Sequence, residues 1–141
     1  MKYVDFLAAW YDQVMVQGNV EMIDQFFDSG AEAEGLITNM SIAKNDFKEF
    51  VTALLSMVEV KSVSIDRSFE TPEWLAAVVT VHAENRTNME EVKASGMVMV
   101  RIENGKIVEA FNQFDYISCF EQLGYLPQDT LATCLTGDSV F

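Results

Sequence analysis

The chain of 141 residues predicts an α+β domain with three N-terminal helices ahead of a curved antiparallel sheet. Two observations predict its helices-then-sheet order. Apolar residues recur at helical spacing up to about residue 58 and at every second position after it. The two regimes occur as blocks and do not alternate, which argues for helices gathered on one side of an antiparallel sheet and against repeated βαβ units.

Tyr3, Phe6, Leu7, Trp10, Tyr11 and Val14 form one stripe, so the first helix is expected over about residues 2–17, closed by Gly18. Asn19 is placed to cap a second, short helix that buries Val20, Ile23, Phe26 and Phe27 and ends at Asp28-Ser29-Gly30. Ala31 to Ile37 alternates small and acidic residues, as a short edge strand does. Phe47, Phe50, Val51, Leu54, Leu55 and Val58 define a third helix. Strands are expected over roughly 60–70, 74–86, 91–103 and 106–116, parted by Glu70-Thr71-Pro72-Glu73, Thr87-Asn88-Met89-Glu90 and Asn104-Gly105. Asn-Gly is a strong hairpin signal because both residues accept the positive φ of a tight turn. Ser118-Cys119-Phe120-Glu121 reads as a capping box opening a short helix that Gly124 and Pro127 end. The domain is expected to occupy residues 1–127, with 128–141 as an amphipathic tail.

Composition narrows the function. Half the residues are hydrophobic, enough to form one core at this length. The net charge is −13, from 22 acidic against 9 basic residues, and such a surface is repelled by nucleic acids and by anionic membranes. Asp5 and Asp12 interrupt the N-terminal apolar stretch and no apolar run is long enough to span a bilayer, so a cytoplasmic protein is the expectation. One histidine and two distant cysteines, Cys119 and Cys134, offer no metal-ligand spacing, and there is no phosphate-binding glycine loop; no metal or cofactor is expected. Cys119 reads as a small core residue, with a bridge to Cys134 left open.

Trp10-Tyr11-Asp12 through Gly18-Asn19 to Phe26-Phe27-Asp28 resembles the opening of SnoaL-like polyketide cyclases and ketosteroid isomerases, within the nuclear transport factor two-like superfamily. Asn104 to Glu109, Phe111-Asn112-Gln113-Phe114-Asp115 and Glu121-Gln122-Leu123-Gly124 are similar to the closing hairpin and helix of SnoaL-like domains. The resemblance implies a cone-shaped α+β barrel with an internal pocket, commonly dimeric. It also implies that Asn112 points into the pocket, where several relatives carry an acid, and that Tyr11 matches the tyrosine that polarises the substrate carbonyl in ketosteroid isomerases. The isomerase's catalytic base would fall near Gly35, beside Glu34, and its buried acidic partner near Val98 or Met99; neither acid is present in register.

Strand parity assigns the remaining candidates. With Asn104-Gly105 as a two-residue loop, Met97 pairs with Asn112 and Met99 with Ala110, so Met97, Met99, Arg101, Ala110, Asn112 and Phe114 share a face. With Asn88-Met89 as a second such loop, His82 lies opposite Ser95 and joins that face with Trp74, Val78 and Thr80. This grouping yields a catalytic set of His82, Tyr11 and Asn112, in which His82 exchanges a proton and the other two hydrogen-bond an enolate oxygen. Trp74, Met97, Met99 and Phe114 would form the apolar wall. Asp115, at a strand end, is expected to end the sheet or support the next turn. Two functions follow: a cofactor-independent cyclase or isomerase acting on a small hydrophobic carbonyl compound, or a non-catalytic ligand-binding or dimeric interaction module. Asn112 cannot move a proton near neutral pH, which favours the second. In either case a small hydrophobic ligand and a homodimer through the sheet are the expected partners.

Overall fold

The computed structural model describes residues 2–35 and 41–141. Helix α1 (Tyr3–Trp10) runs without a break into a π-helical segment, Tyr11–Val16, in which the Gln17 N–H donates to the Asp12 carbonyl five residues back (2.9 Å). A 3₁₀ turn at Val20–Met22 leads into the short α2 (Ile23–Phe26). Strands β1 (Phe27–Glu34) and β2 (Ser41–Ala43) precede α3 (Lys44–Met57), and β3 (Val58–Glu70), β4 (Trp74–Asn85), β5 (Glu91–Glu103) and β6 (Lys106–Phe114) form the long meander. Helix α4 (Tyr116–Leu123) and α5 (Thr130–Leu135) close the described chain.

The expected architecture is present: an α+β fold whose curved six-stranded sheet, in the order β2-β1-β6-β5-β4-β3, packs against the N-terminal helices. Several boundaries differ from expectation. Phe27 and Val58 open strands and do not close helices, because each enters extended backbone at the end of its helix. β1 begins at Phe27, four residues before the expected edge strand, and lies parallel to β6, whereas the other strand pairs among the described residues are antiparallel. The end of that expected strand, at residues 36 and 37, lies outside the described residues. The tail contains α5, tied to α4 where the Leu131 N–H donates to Glu121 Oε1 (2.9 Å).

The helical stripe and the inner face of the sheet bury the same core. Leu7, Val14, Ile23, Val51, Leu75, Val79 and Ile107 are its largest fully buried side chains, each contributing up to about 1.5–3 kcal/mol relative to exposure. An aromatic cluster locks α1 to α2, β1 and α3: Trp10 stands edge-on to Phe26 and Phe27 and stacks on Phe47 at 5.9 Å. Asp24 then straps α2 to α3, accepting from Lys48 Nζ at 2.7 Å and facing Lys44 Nζ at 3.0 Å. These bonds from Lys48 and Lys44 hold the Asp24 carboxyl below its ordinary pKa.

Register decides which side chains meet. Asn104-Gly105 does form the expected tight turn, with Glu103 opposite Lys106 and positive φ at both turn residues. Beyond Ile102↔Ile107, however, the next pair is Arg101↔Glu109, so Val108 is an extra residue that bulges out of β6. Every later residue of β6 is thereby turned over relative to β5. Asn112 pairs with Val98, Ala110 with Val100 and Phe111 with Met99, not Asn112 with Met97 and Ala110 with Met99 as a regular hairpin requires. At the other hairpin, Asn85 and Glu90 close the loop, and His82 lies opposite Lys93, two residues from the expected Ser95. A shift of two preserves the face; the single extra residue at Val108 reverses it.

Candidate functional site

The inner face of the sheet and the helices enclose a cavity of ≈ 90 Å³. Leu7, Trp10, Tyr11 and Met15 reach it from α1 and the π-helical segment, whose wide turn keeps Tyr11 and Met15 on one side. Phe47, Phe50, Val51 and Leu54 come from α3, and Val81, Ala83, Val92, Ala94, Val98, Val100 and Ala110 from the sheet. Five of the described lining side chains carry a hydrogen-bonding group: Trp10, Tyr11, Asn112, Tyr116 and Cys119. No Asp, Glu, His, Lys or Arg lines the cavity among the described residues.

The structure divides the residues expected to form the site. Tyr11, Asn112 and Phe114 line the cavity. His82, Trp74, Met97 and Met99 stay together, as their common parity requires, but on the outer face of the sheet. Met97 is 62% exposed and Met99 41%; Trp74 packs against Phe111 and under the Arg101 guanidinium. His82 stands in the row of Thr80 and Glu84, with Ser62 on one side and Lys93 on the other. The expectation that His82 and Asn112 share a face is therefore corrected, and the cause is the β6 bulge.

The outer row has its own polar network. Asp66, the extra residue in a bulge of β3, accepts from Thr80 Oγ1 (2.6 Å) and Ser64 Oγ (2.9 Å), and Thr80 meets Ser95 Oγ at 3.1 Å. Those hydrogen bonds lower the Asp66 pKa. The network belongs to the surface and is separated from the cavity by the thickness of the sheet.

Inside, burial dominates. Tyr11 is 6% exposed, and desolvation together with the nearby Tyr116 pushes its phenol pKa upward. Desolvation raises that of Tyr116 as well. Both remain neutral hydroxyls at any physiological pH. Among the described residues, neither hydroxyl nor the Asn112 carboxamide has a hydrogen-bond partner in the protein, and no buried side-chain polar atom is stranded, so these groups face the cavity. Cys119 is buried and free, and Cys134 is exposed and free, so no bridge joins them.

Tyr116 is absent from the sequence-predicted site because Ser118 was read as the helix cap. The cap is Asp115, whose Oδ1 accepts from the Ser118 N–H (3.0 Å), while the Asp115 N–H donates to the Ser95 carbonyl. This anchors the start of α4 on β5 and turns Tyr116 and Cys119 into the cavity. The signal was present as Asp115-x-x-Ser118, with Tyr116, Cys119 and Leu123 at helical spacing from the first turn.

A curved sheet closed by N-terminal helices around an apolar cavity with a few inward hydroxyls defines a cone-shaped α+β fold. The sequence signature of the SnoaL-like domain matches residues 7–110, and the chain belongs to that family. Solved structures agree on the fold. The IdmH 96–104 loop truncation variant, whose wild-type form comes from Streptomyces antibioticus, superimposes with a TM-score of 0.72 at 14% identity, over 87% of this chain and 100% of that one. TsrD from Streptomyces laurentii gives 0.70 at 14%, over 87% and 96%. A SnoaL-like polyketide cyclase from Agrobacterium tumefaciens gives 0.66 at 14%, over 88% and 100%. Comparison with curated proteins gives no match. No helix among the described residues is long and apolar enough to cross a membrane.

Proposed function

We propose that this SnoaL-like chain binds a small, largely apolar molecule in its cavity and holds the molecule's polar end with Tyr11 and Asn112. The observation that carries this reading is the lining itself: apolar walls, hydroxyl and amide groups with no partner among the described residues, and no described side chain that exchanges a proton at neutral pH. A binding role follows more directly from such a lining than acid–base turnover does. The test is calorimetric titration with neutral one-ring ketones. Tyr11→Phe should weaken binding by roughly tenfold, the size of one buried hydrogen bond, whereas His82→Ala should leave it unchanged. A dependence on His82 would return the outer face to the site.

One observation favours a second reading. Structural relatives include proteins named as polyketide cyclases, and Tyr11 with Asn112 would suit polarisation of a carbonyl as negative charge develops on its oxygen. A cyclase or isomerase working this way would rely on orientation and oxyanion stabilisation, with proton movement left to the substrate or solvent. Under that reading Tyr11→Phe lowers turnover and Asn112→Asp, which supplies a carboxylate, changes its pH profile.

The outer face suits a second copy of the chain. Phe69, at 79% exposure, Met97 and Met99 form an apolar strip on a sheet surface, flanked by the Arg101 pairs with Glu103 and Glu109. Sedimentation of Met97→Glu should show monomers where the unaltered protein shows dimers.

A further inference from the structure

The cavity carries one polar group whose role goes beyond the pair just described, and its surroundings restrict the chemistry of the ligand. Tyr116 is held by three aromatic neighbours: Phe50 edge-on at 5.8 Å, Phe114 at 6.1 Å and Phe120 stacked at 6.3 Å. Asp115, one residue earlier, is bonded both to α4 and to β5, so the backbone beneath the ring is fixed from two sides. A ring clamped this way has little freedom to turn its hydroxyl elsewhere. That hydroxyl nevertheless has no partner in the protein among the described residues, although it lines the same apolar space as Tyr11.

We infer that Tyr116 is a specificity-determining residue, which together with Tyr11 presents two neutral hydroxyls to the polar end of the ligand and so selects a neutral, oxygen-bearing molecule of about one ring. The inference rests on the ligand-binding reading and sharpens it. Three features set the class. The donors reward an acceptor oxygen, since an oxygen-free molecule would leave two buried hydroxyls unpaired. No cationic side chain lines the cavity among the described residues, so a carboxylate would enter without a counter-charge and lose its hydration. The chain's net charge of −13 opposes an anion at long range as well. Finally, ≈ 90 Å³ is below the roughly 150 Å³ apolar cavity that accommodates benzene, so a single ring already demands some side-chain adjustment. Met15, with an unbranched and flexible side chain, is the lining group best suited to provide it.

Acetophenone, ethylbenzene and benzoate share one ring and differ only in the polar end, which makes them the probes. Binding of each to the full chain and to Tyr116→Phe is followed by calorimetry or ligand-observed NMR, with melting curves to verify folding. The phenylalanine keeps the ring against its three neighbours. The unaltered protein should bind acetophenone at least about tenfold more tightly than benzoate. Tyr116→Phe should weaken acetophenone by roughly five- to tenfold while changing ethylbenzene by less than about twofold. Tyr11→Phe should show the same selectivity. Equal losses for acetophenone and ethylbenzene would reduce Tyr116 to a packing residue, and no loss, or benzoate binding as tightly as acetophenone, would equally overturn the inference while leaving the pocket reading intact. Failure of the unaltered protein to bind either neutral compound would remove the pocket reading and this inference with it.

Discussion

The two faces of one sheet, built from the same strands and a few ångströms apart, have opposite characters. On the inner face Leu75, Ala77, Val79, Val98, Val100 and Ala110 are buried against the helices and line or support the cavity. On the outer face Trp74, His82, Met97, Met99 and Arg101 meet solvent, with the molecule's one histidine among them. Residue chemistry alone would have drawn the functional site on the second face, where the imidazole, the thioethers and the indole gather. The cavity is on the first, where chemistry is sparse. What separates them is a single unpaired residue in β6, which shows that a proposed constellation is only as good as the register that assembles it.

That comparison can be broken most directly at the bulge. Deleting Val108 leaves the Asn104-Gly105 turn intact but asks Ala110, Asn112 and Phe114 to exchange faces with Phe111 and Gln113. The expected result is a loss of more than about 3 kcal/mol in denaturant unfolding, larger than an ordinary substitution causes. Retention of stability with Asn112 moved outward would show that the bulge does not determine the fold. A neighbouring test of the same face is Gly96, where an added Cβ would sit 2.6 Å from the Gln113 carbonyl oxygen and from the Phe114 ring. Gly96→Val should therefore be among the more destabilising substitutions in β5.

Less drastic pairs sharpen the contrast. Leu75→Ala, in the inner core, should cost about 2–5 kcal/mol, and Met97→Ala, outside, no more than about 0.5 kcal/mol in the monomer. Thermal unfolding of the two variants side by side is sufficient to compare them.

The faces also differ in the pH at which they fail. Asp66, on the outer face, has its folded pKa lowered below 3.8 by its hydrogen bonds. Its contribution is fully present above that unfolded value and is lost as pH falls through the folded one, so Asp66→Asn should flatten the acid limb of the stability profile. Tyr11 and Tyr116, inside, have folded pKa values raised above the ordinary 10.0. Their contribution is present below 10 and is lost as pH rises toward the folded values, because the unfolded chain releases those protons first. Tyrosinate absorbance should accordingly appear for these two rings only beyond the ordinary phenol range, and replacing both with phenylalanine should flatten the alkaline limb. Exposure of Asp66 to solvent makes the acid effect the smallest of the set.

Much of the fold was legible in the sequence, and for identifiable reasons. The stripes from Tyr3 to Val14 and from Phe47 to Leu55 are long and periodic, and Asn104-Gly105 leaves little choice of turn. Helix ends were less readable where apolar residues serve both elements, as Phe27 and Val58 do. The short β2 and the parallel pairing of β1 with β6 carry no local signal, since they are set by tertiary contact. Tyr11, Asn112 and Phe114 line the cavity: family likeness pointed Tyr11 and Asn112 inward, and strand alternation put Phe114 on the face of Asn112. His82, Trp74, Met97 and Met99 were misplaced by the register reading alone: nothing in Lys106-Ile107-Val108-Glu109 distinguishes a bulged strand from a regular one. Tyr116 was missed through a helix cap displaced by three residues.

The account's central claim is that ligand enters on the inner face and leaves the outer face alone. Methyl-labelled alanine and methionine spectra, recorded as acetophenone is added, test this in one experiment. The methyls of Met15, Ala83, Ala94 and Ala110 should shift, and those of Met97, Met99 and Ala76 should not. Shifts confined to Met97 and Met99, with the cavity methyls silent, would contradict the claim and place the site on the side of His82.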